Sequence, residues 1–552
     1  MSTRAQIRPL NRSGRDSTMR KAMTAALFLA ISATVLAGCT SGGDDGGGSG
    51  DDSTVRILVI KHPLTQPMEN MAWVADIEEM TGVTIEWEEV SADWDQKKPT
   101  MLAAGDMPDL VIGTNAITDL DFATYGSLFE DLSDDLAALS NVQAMFDAKP
   151  EVQAMSTQTG GEIYSIGSYK RFWPETSTHQ YINQQWLDNL GLAVPTTWDE
   201  LFDVLVAFKE GDPNGNGDPS DEIPWDWSAV GTGGFGYFQP SMLLGSLGLP
   251  ISGGGGAGYF VEDGQVGNFL TDERYRDVVA FLNRSYEAGL ISEEVMTHDY
   301  SAYQSVARGT GETAAVGFSW GWTASDRFGT AISDQYVAMA PLLADANQSE
   351  PVTWSYDQWG ENFPSNAIAM SADAGNKDAV LSLINAFYDQ DISIQILFGD
   401  LGTNITQISD NEYEILPPAD GVSDPSTWKW TSSLADLGPT WIRDDIEVTL
   451  PTDLAEAVVD TEPLQEAFSN MDLSEDVYPG QFIKMTSEDL NTIALNNTTI
   501  LNTTQTKFAE WVTSGGIEEQ WDAYVEQVNN SGLEANIEIY QRYYDEYTAN
   551  QG

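Results

Sequence analysis

The chain has 552 residues, 41% of them hydrophobic, and its 85 acidic and 25 basic residues give a formal net charge of −60. This length exceeds what one compact core accommodates and predicts two or more lobes, while the charge repels nucleic acid and excludes it as a partner. One cysteine and three histidines exclude a disulfide framework and a multi-cysteine zinc site. Because the acidic residues are scattered, they favour a solvated surface over a field that attracts a cationic substrate.

Residues 1–39 have the pattern of an export signal. Met19-Arg20-Lys21 precedes an apolar run that ends in "LAGC" at Cys39. A basic start, an apolar stretch and small residues before a cleavage point define a secretory signal, and this run is short for a membrane span. We interpret Met19 as the start and residues 1–18 as an upstream extension.

The segment Leu36–Cys39 resembles the lipobox of bacterial lipoproteins. In those proteins the thiol carries lipid, palmitate included, and the cysteine becomes the mature N-terminus; the alternative is a structural cysteine in a discarded signal. Residues 40–53, "TSGGDDGGGSGDDS", cannot bury a core and predict a flexible tether. We therefore expect attachment to the outer face of the cell membrane through the lipid anchor alone.

The first elements of the body alternate between strand and helix patterns. Val55–Ile60, Val83–Val90 and Asp109–Gly113 read as strands, Asn70–Gly82 reads as an amphipathic helix, and a second helix surrounds Pro99. This order predicts an α/β lobe with a largely parallel sheet. Ligands bind beyond the carboxyl ends of such strands, which makes His62 and Asn115 candidate ligand residues. The alternative for His62 is an ordinary loop residue.

The segment "GDPNGNGDPSDEIP", residues 211–224, has the oxygen-rich spacing of a calcium loop. Alternating acidic and amide side chains precede a glycine, as in an EF-hand loop, and hard oxygen ligands suit Ca²⁺. The acidic residue that closes the shell comes earlier than in an EF-hand, and no pair of flanking helices is evident. The alternative is an Asx-rich turn without an ion. The candidate metal ligands are Asp212, Asn214, Asn216, Asp218, Asp221 and Glu222.

The C-terminal third shows helical spacing with breaks at Gly515, Gly516 and Gly532, and predicts a run of helices.

Several blocks in order resemble the bacterial extracellular solute-binding proteins of the carbohydrate type, family 1, which are the receptors of ABC importers. They are "MLAAGDMPDLVI" (101–112), "GEIYSI" (161–166), "YINQQWLDNLGLAVPTTWDEL" (181–201), "RGTGETAAVGFSWGW" (308–322) and "NKDAVLSLINAFYDQD" (376–391). Together they span nearly the whole body of the chain.

The resemblance implies a two-lobed α/β fold of the periplasmic-binding-protein type, with hinge strands and a helical C-terminal region. Residues 54–170 and 313–395 are expected to form the N-terminal lobe, and residues 171–312 and 396–552 the C-terminal lobe. A similar "DxNxNG…DE" loop is a structural calcium site in some family members, where the DE pair follows one residue sooner. This difference in spacing leaves open whether Asp221 or Glu222 would coordinate the calcium ion.

Tryptophans supply the aromatic faces that a sugar ring requires. A pyranose packs its C–H face on an aromatic ring, and its hydroxyl rim needs donors and acceptors. Each tryptophan taken singly is more often a core residue, and we expect about half of the set to line a cleft. The further candidate ligand residues are Trp173, Trp225, Trp227, Trp320, Trp322, Trp359 and Glu361.

These observations favour a monomeric, lipid-anchored receptor that captures an oligosaccharide or other sugar by lobe closure and delivers it to an ABC permease. Such a receptor makes and breaks no covalent bond, so no catalytic residue is expected. The alternative is a surface-anchored glycoside hydrolase or lyase, which needs two carboxylates at a defined spacing. A peptide or metal receptor of the same two-lobed plan is a third interpretation.

Overall fold

The protein is described by a computed structural model that covers residues 54–231, 233–252, 256–309, 311, 313–418 and 430–551. These residues belong to one compact unit, 52–552. The predicted signal, Cys39 and the tether 40–53 lie outside the described residues. Within those ranges, no helix combines the length and the apolar character needed to cross a membrane.

Short strands of the described residues form four sheets. The strands are β1 Thr54–Ile60, β2 Thr84–Val90, β3 Leu110–Ile112, β4 Ser165–Ile166, β5 His179–Asn183, β6 Ile223–Trp225, β7 Tyr259–Glu262, β8 Gln265–Asn268, β9 Val316–Gly321, β10 Tyr336–Ala338, β11 Ile368–Met370, β12 Ile405–Ser409, β13 Glu412–Ile415 and β14 Glu447–Thr449.

Helices cover the sheets and fill the C-terminal part of the chain. The α-helices are α1 Ala72–Thr81, α2 Trp94–Ala104, α3 Asp119–Tyr125, α4 Ser140–Ala148, α5 Pro150–Ser156, α6 Gln184–Leu190, α7 Trp198–Glu210, α8 Glu273–Glu287, α9 Tyr300–Ala307, α10 Ala324–Phe328, α11 Gln358–Asn362, α12 Lys377–Phe387, α13 Gln390–Phe398, α14 Thr452–Asp460, α15 Gln465–Ser469, α16 Leu473–Asp476, α17 Ser487–Ser514, α18 Ile517–Asn530 and α19 Leu533–Gln551. Short 3₁₀ turns connect several of them; the turn Pro240–Leu247 has eight residues.

The first sheet has the strand order β2-β1-β3-β11-β4 and defines the first lobe. Strand β1 pairs in parallel with β2 and β3, as the alternating pattern predicts, and β11 joins antiparallel to β3 and β4. Helix α1 buries Trp73, Val74 and Ile77. Gly82 caps the C-terminus of this helix with a φ of +68°, a backbone conformation that residues with a Cβ rarely adopt. The predicted elements of this lobe are therefore confirmed.

The second sheet has the order β10-β5-β9-β6 and defines the second lobe. Strand β6 runs parallel to β9, whereas β5 runs antiparallel to both β9 and β10. Helices α7 and α8 and the C-terminal helices contribute to the same hydrophobic core. The predicted run of C-terminal helices is confirmed, because α17, α18 and α19 are separated at Gly515–Gly516 and at Gly532.

Two of the predicted lobe boundaries need correction. Strands β9 and β10 fall in the range 313–395 predicted for the first lobe, yet they pair with β5 in the second sheet. Conversely, Ile396 and Leu434 fall in the range predicted for the second lobe, yet they lie in the core of the first. A strand's own pattern shows that it is buried, but it does not show which sheet the strand joins.

Two hinge segments connect the lobes side by side. Residues 167–178 run from β4 to β5, and residues 353–367 lead back toward β11. Backbone hydrogen bonds join them: the amides of Ser168 and Lys170 donate to Pro364 and Asn362, at 2.9 and 3.0 Å. Groups on these segments therefore lie between the two sheets, where lobe closure would act on them.

Candidate functional site

Glu361 lies on α11, in the second hinge segment. Its Oε1 accepts a hydrogen bond of 3.3 Å from Ser177 Oγ, in the first hinge segment, and another of 3.3 Å from the hydroxyl of Tyr237, in the second lobe. Burial raises the pKa of Glu361, and the charges of two neighbouring aspartates add to that rise. The carboxylate is therefore partly removed from water and held by two long hydrogen bonds from neutral groups.

The two neighbouring aspartates are Asp357 and Asp436. Asp357 is 5% exposed and accepts a hydrogen bond of 3.1 Å from the amide of Ser177. Asp436 lies in the first lobe, where its Oδ1 is 2.5 Å from Lys170 Nζ. The Lys170 ammonium lowers the pKa of Glu361 and also lies 3.9 Å from the ring centroid of Trp173. We call Lys170, Ser177, Tyr237, Asp357, Glu361 and Asp436 the hinge cluster.

His62 and Asn115 both lie beyond the carboxyl ends of parallel strands, at the predicted edge of the first sheet. His62 follows β1, its ring centroid is 4.8 Å from that of Trp430, and burial lowers its pKa. Asn115 follows β3, is exposed, and faces the side-chain amide of Asn366 at 3.5 Å. That either residue contacts a ligand stays a prediction.

Three of the predicted cleft tryptophans are core residues and not ligand contacts, contrary to the prediction. Trp225, Trp227 and Trp320 have no exposed surface. The ring centroid of Trp225 is 5.4 Å from that of Trp227 and 5.8 Å from that of Trp320. Positions two apart point to the same face of an extended segment, so "WDW" places both rings inward.

The remaining tryptophans lie closer to solvent. Trp322 follows β9, is partly exposed, and stacks on Trp173 with a centroid separation of 6.4 Å. Trp173 itself is 7% exposed. Trp359 is partly exposed and lines a cavity of about 720 Å³ together with Tyr544 and Tyr547 of α19. Two residues correspond to about 200° around a helix, so Trp359 and Glu361 point to opposite sides of α11.

The predicted calcium loop connects α7 to β6, so a helix precedes it and a strand follows it. Hydrogen bonds close the loop: the side-chain amides of Asn214 and Asn216 donate to Asp221 at 3.1 and 2.7 Å, and the amide of Gly217 donates to Asp212 Oδ2 at 2.9 Å. Asp218 makes a separate contact, in which its Oδ1 accepts from the hydroxyl of Ser220 at 2.6 Å.

Glu222 is the carboxylate of this loop that lacks partners. Both of its side-chain oxygens and Oδ1 of Asp212 are buried without a hydrogen bond of ordinary geometry. Burial raises the pKa of Glu222, the charges of Asp221 and Asp212 raise it further, and nearby backbone amides oppose the rise. Such oxygens fit a hard cation. As the loop stands, no group of three or more His, Cys, Asp or Glu in the described part of the chain is arranged to hold a metal.

The family model of the bacterial extracellular solute-binding proteins matches residues 66–392. The chain belongs to this family, and its architecture, in which the two largest sheets define two lobes, is the two-lobed fold of the solved relatives. A solute-binding protein associated with an HMO-binding ABC transporter, from Bifidobacterium longum infantis ATCC 15697, is 34% identical; the match covers 90% of this chain and 99% of that chain, with a TM-score of 0.82.

Two further relatives are named for the carbohydrates that they bind. FusA of Streptococcus pneumoniae serotype 4, a fructooligosaccharide ABC transporter substrate-binding protein, is 29% identical over 95% of this chain and 98% of its own. Its structure with kestose superposes with a TM-score of 0.80, at 26% identity over 90% of this chain and 100% of that one, and an EF-hand mutant of FusA has also been solved. The polygalacturonan/rhamnogalacturonan-binding protein YtcQ of Bacillus subtilis (strain 168) is 26% identical over 47% of this chain and 49% of its own.

Of the hinge cluster, only Glu361 is among the candidate ligand residues predicted from the sequence; the other members are Lys170, Ser177, Tyr237, Asp357 and Asp436. Tyr237 stands in the glycine-rich stretch "GTGGFGYFQP" after β6, a composition that signals a loop at a strand end. Asp436 has no such signal, because it reaches the cluster through a segment far along the chain.

Proposed function

We propose that the chain is a lipid-anchored extracellular receptor that captures an oligosaccharide between its two lobes and delivers it to an ABC permease. The observation that carries the proposal is the hinge cluster, where an ion pair between the first hinge segment and the first lobe, a second-lobe tyrosine and two hinge carboxylates meet. Family membership and the names of the full-length relatives support the sugar and the transporter.

In the proposed mechanism, the ligand stabilises a closed arrangement of the lobes that the permease recognises. Sugar hydroxyls would donate to the carboxylates of Glu361 and Asp357, and they would accept from the hydroxyl of Tyr237. Hydrogen bonds to charged acceptors are stronger than neutral ones, and they gain further where water is excluded. Trp322 offers a partly exposed aromatic face, whereas Trp359 lies on the side of α11 away from Glu361.

We further propose that the loop 212–222 holds a structural calcium ion. Asp212 and Glu222 would supply carboxylate oxygens, and Asn214 and Asn216 would supply amide oxygens once their side chains turn from Asp221. Asp218 would contribute through its backbone carbonyl. The unpartnered buried oxygens of Glu222 favour it over Asp221 as the residue that closes the shell. The ion would tie the end of α7 to the start of β6.

The test of the receptor function is a thermal-shift screen against an oligosaccharide panel, followed by calorimetric titration of each hit. We expect at least one oligosaccharide to raise the melting temperature, and incubation with it to release no product. Turnover of the bound oligosaccharide would favour the hydrolase or lyase alternative. A panel without any binder would contradict the proposal.

The test of the anchor is Cys39→Ala in cells. We expect the variant to lose lipid labelling and to leave the membrane fraction, because the thiol is the attachment point. Cys39 is the single cysteine of the chain, so labelling that persists in Cys39→Ala would contradict lipidation there. Ligand binding by the released variant serves as the control, since residue 39 lies outside the body that holds the hinge cluster.

A further inference from the structure

We infer that the hinge cluster selects uncharged oligosaccharides over oligosaccharides that carry carboxylates, such as oligomers of uronic acids. This inference rests on the proposed function and adds the charge of the ligand to it. Relatives named for neutral and for acidic glycans both exist, so membership in the family leaves the charge of the ligand open.

The first argument is the excess of negative charge in the cluster. Ser177 bonds two carboxylates at once: its amide donates to Asp357 Oδ2 at 3.1 Å, and its hydroxyl donates to Glu361 Oε1 at 3.3 Å. Asp436 acts on the same glutamate from the first lobe, since its charge raises the pKa of Glu361. The six residues of the cluster thus include three carboxylates, of which Asp436 pairs with Lys170 at 2.5 Å, and a single ammonium, that of Lys170.

The second argument is that Lys170 of the cluster, and also Lys484 and Lys61, already pair with acidic side chains. Lys170 Nζ is 2.5 Å from Asp436 Oδ1. Lys484 contacts both oxygens of Asp119, the neighbour of Asn366, at 2.8 and 3.0 Å. Lys61, which follows β1, pairs with Glu89. A ligand carboxylate that uses any of these cations must displace an internal carboxylate and leave it unpaired.

The third argument is desolvation. Like charges repel more strongly in a water-poor site than in bulk water, so a uronate next to Glu361 and Asp357 is disfavoured there. A neutral sugar meets no such repulsion, because its hydroxyls donate to these carboxylates. The same residues therefore favour one class of ligand and oppose the other.

The experiment compares matched ligands that differ only in charge. The probes are kestose and a panel of neutral trisaccharides, and for each one that binds, the form oxidised to a carboxylate at a primary alcohol and the methyl ester of that form. Tri-galacturonic acid and its methyl ester are included from the start. Dissociation constants are measured by calorimetry on the intact body at about 0.05 M and about 0.5 M salt, because salt screens charge.

We expect each acid to bind at least about tenfold more weakly than its methyl ester at low salt, and this gap to narrow at high salt. An acid that binds as tightly as its ester, or more tightly, would overturn the inference and leave the receptor function standing. Failure of every probe, neutral or acidic, would instead overturn the proposed function.

Glu361→Gln is the matched variant, since it removes one charge and keeps the shape of the side chain. We expect it to tighten the binding of the acid severalfold relative to the ester. Glu519→Gln, an exposed position on α18, is the control and should leave the ratio of the two constants unchanged. An unchanged ratio in Glu361→Gln would show that this carboxylate does not set the selectivity.

Discussion

Two carboxylates of the second lobe have buried oxygens and opposite surroundings. Asp226 follows β6, and its Oδ2 is 2.6 Å from the guanidinium of Arg327, whose side chain has no exposed surface. Glu222 precedes β6 by one residue, and neither of its buried oxygens accepts a hydrogen bond of ordinary geometry from the described residues. The short strand β6 therefore lies between Asp226, which pairs with a cationic side chain, and Glu222, which does not.

The difference shows how a chain stabilises buried charge. An ionised carboxylate removed from water is costly unless a cation or several donors compensate it. For Asp226 the chain supplies that cation from α10. For Glu222 it supplies oxygen-bearing neighbours, which is the arrangement that a metal ion completes. A third carboxylate, Asp460 on α14, is partly buried and has a neutral hydroxyl as its partner, so it lies between these two cases.

The largest effect should come from breaking the internal ion pair. Asp226→Asn leaves the guanidinium of Arg327 buried without its counter-charge, and we expect the free energy of unfolding to fall by about 3–5 kcal/mol. Chemical denaturation measures this change. The control is Asp199→Asn, which breaks the pair with Arg284, in which both partners are exposed.

For that exposed pair we expect a loss of at most about 1 kcal/mol, because water and salt screen it. Equal losses in Asp226→Asn and Asp199→Asn would contradict the view that burial makes the internal pair critical. Replacing both Asp226 and Arg327 with apolar residues should recover much of the loss, since the double variant leaves no charge uncompensated.

Calcium removal should have the next largest effect. An ion at about one hundred times its dissociation constant stabilises the folded state by about 2.7 kcal/mol. We therefore expect calcium to raise the melting temperature and a chelator to lower it. Glu222→Gln should abolish most of this response, and Asp221→Asn should weaken it less, because the oxygens of Glu222 are the buried ones. A melting curve that neither calcium nor chelator changes would contradict the calcium site.

The pH dependence of the calcium effect has a defined sign. The pKa of Glu222 is raised in the folded, ion-free protein. The ionised form is therefore unfavourable above that pKa, and protonation relieves this cost as the pH falls through it. Calcium stabilises the ionised form, so its effect on the melting temperature should shrink as the pH is lowered. A calcium effect that grows in acid would contradict this assignment.

The sequence predicts local features of this molecule better than long-range ones. The strands and helices of residues 55–113 follow from apolar spacing, and the loop 212–222 follows from the order of its oxygen-bearing side chains. The hinge cluster does not follow, because Lys170, Tyr237 and Asp436 come together only when three distant segments fold. The sequence pattern also gives the wrong role for Trp225 and Trp227. A pair of tryptophans is compatible both with a sugar-binding surface and with a side of a strand that is buried in the core.

The smallest effect should come from the carboxylate with a neutral partner. Tyr181 donates its hydroxyl hydrogen to Asp460 Oδ2 at 2.6 Å, and burial together with the charge of Glu456 raises the pKa of Asp460 to about 6. An unfolded aspartate has a pKa of about 3.9, so the folded protein binds this proton more tightly, and stability from this group falls as the pH rises between these values.

Asp460→Asn keeps an acceptor for the tyrosine and removes the charge. We expect it to raise the free energy of unfolding by about 1 kcal/mol at pH ~8 and to leave it nearly unchanged at pH ~4. Denaturation at both pH values measures the change, with the exposed Asp334→Asn as control. A loss of stability in Asp460→Asn at the higher pH would contradict this prediction. It would show that a hydroxyl partner stabilises an ionised carboxylate as effectively as a cation does. The contrast between Asp226 and Glu222 would then have another cause.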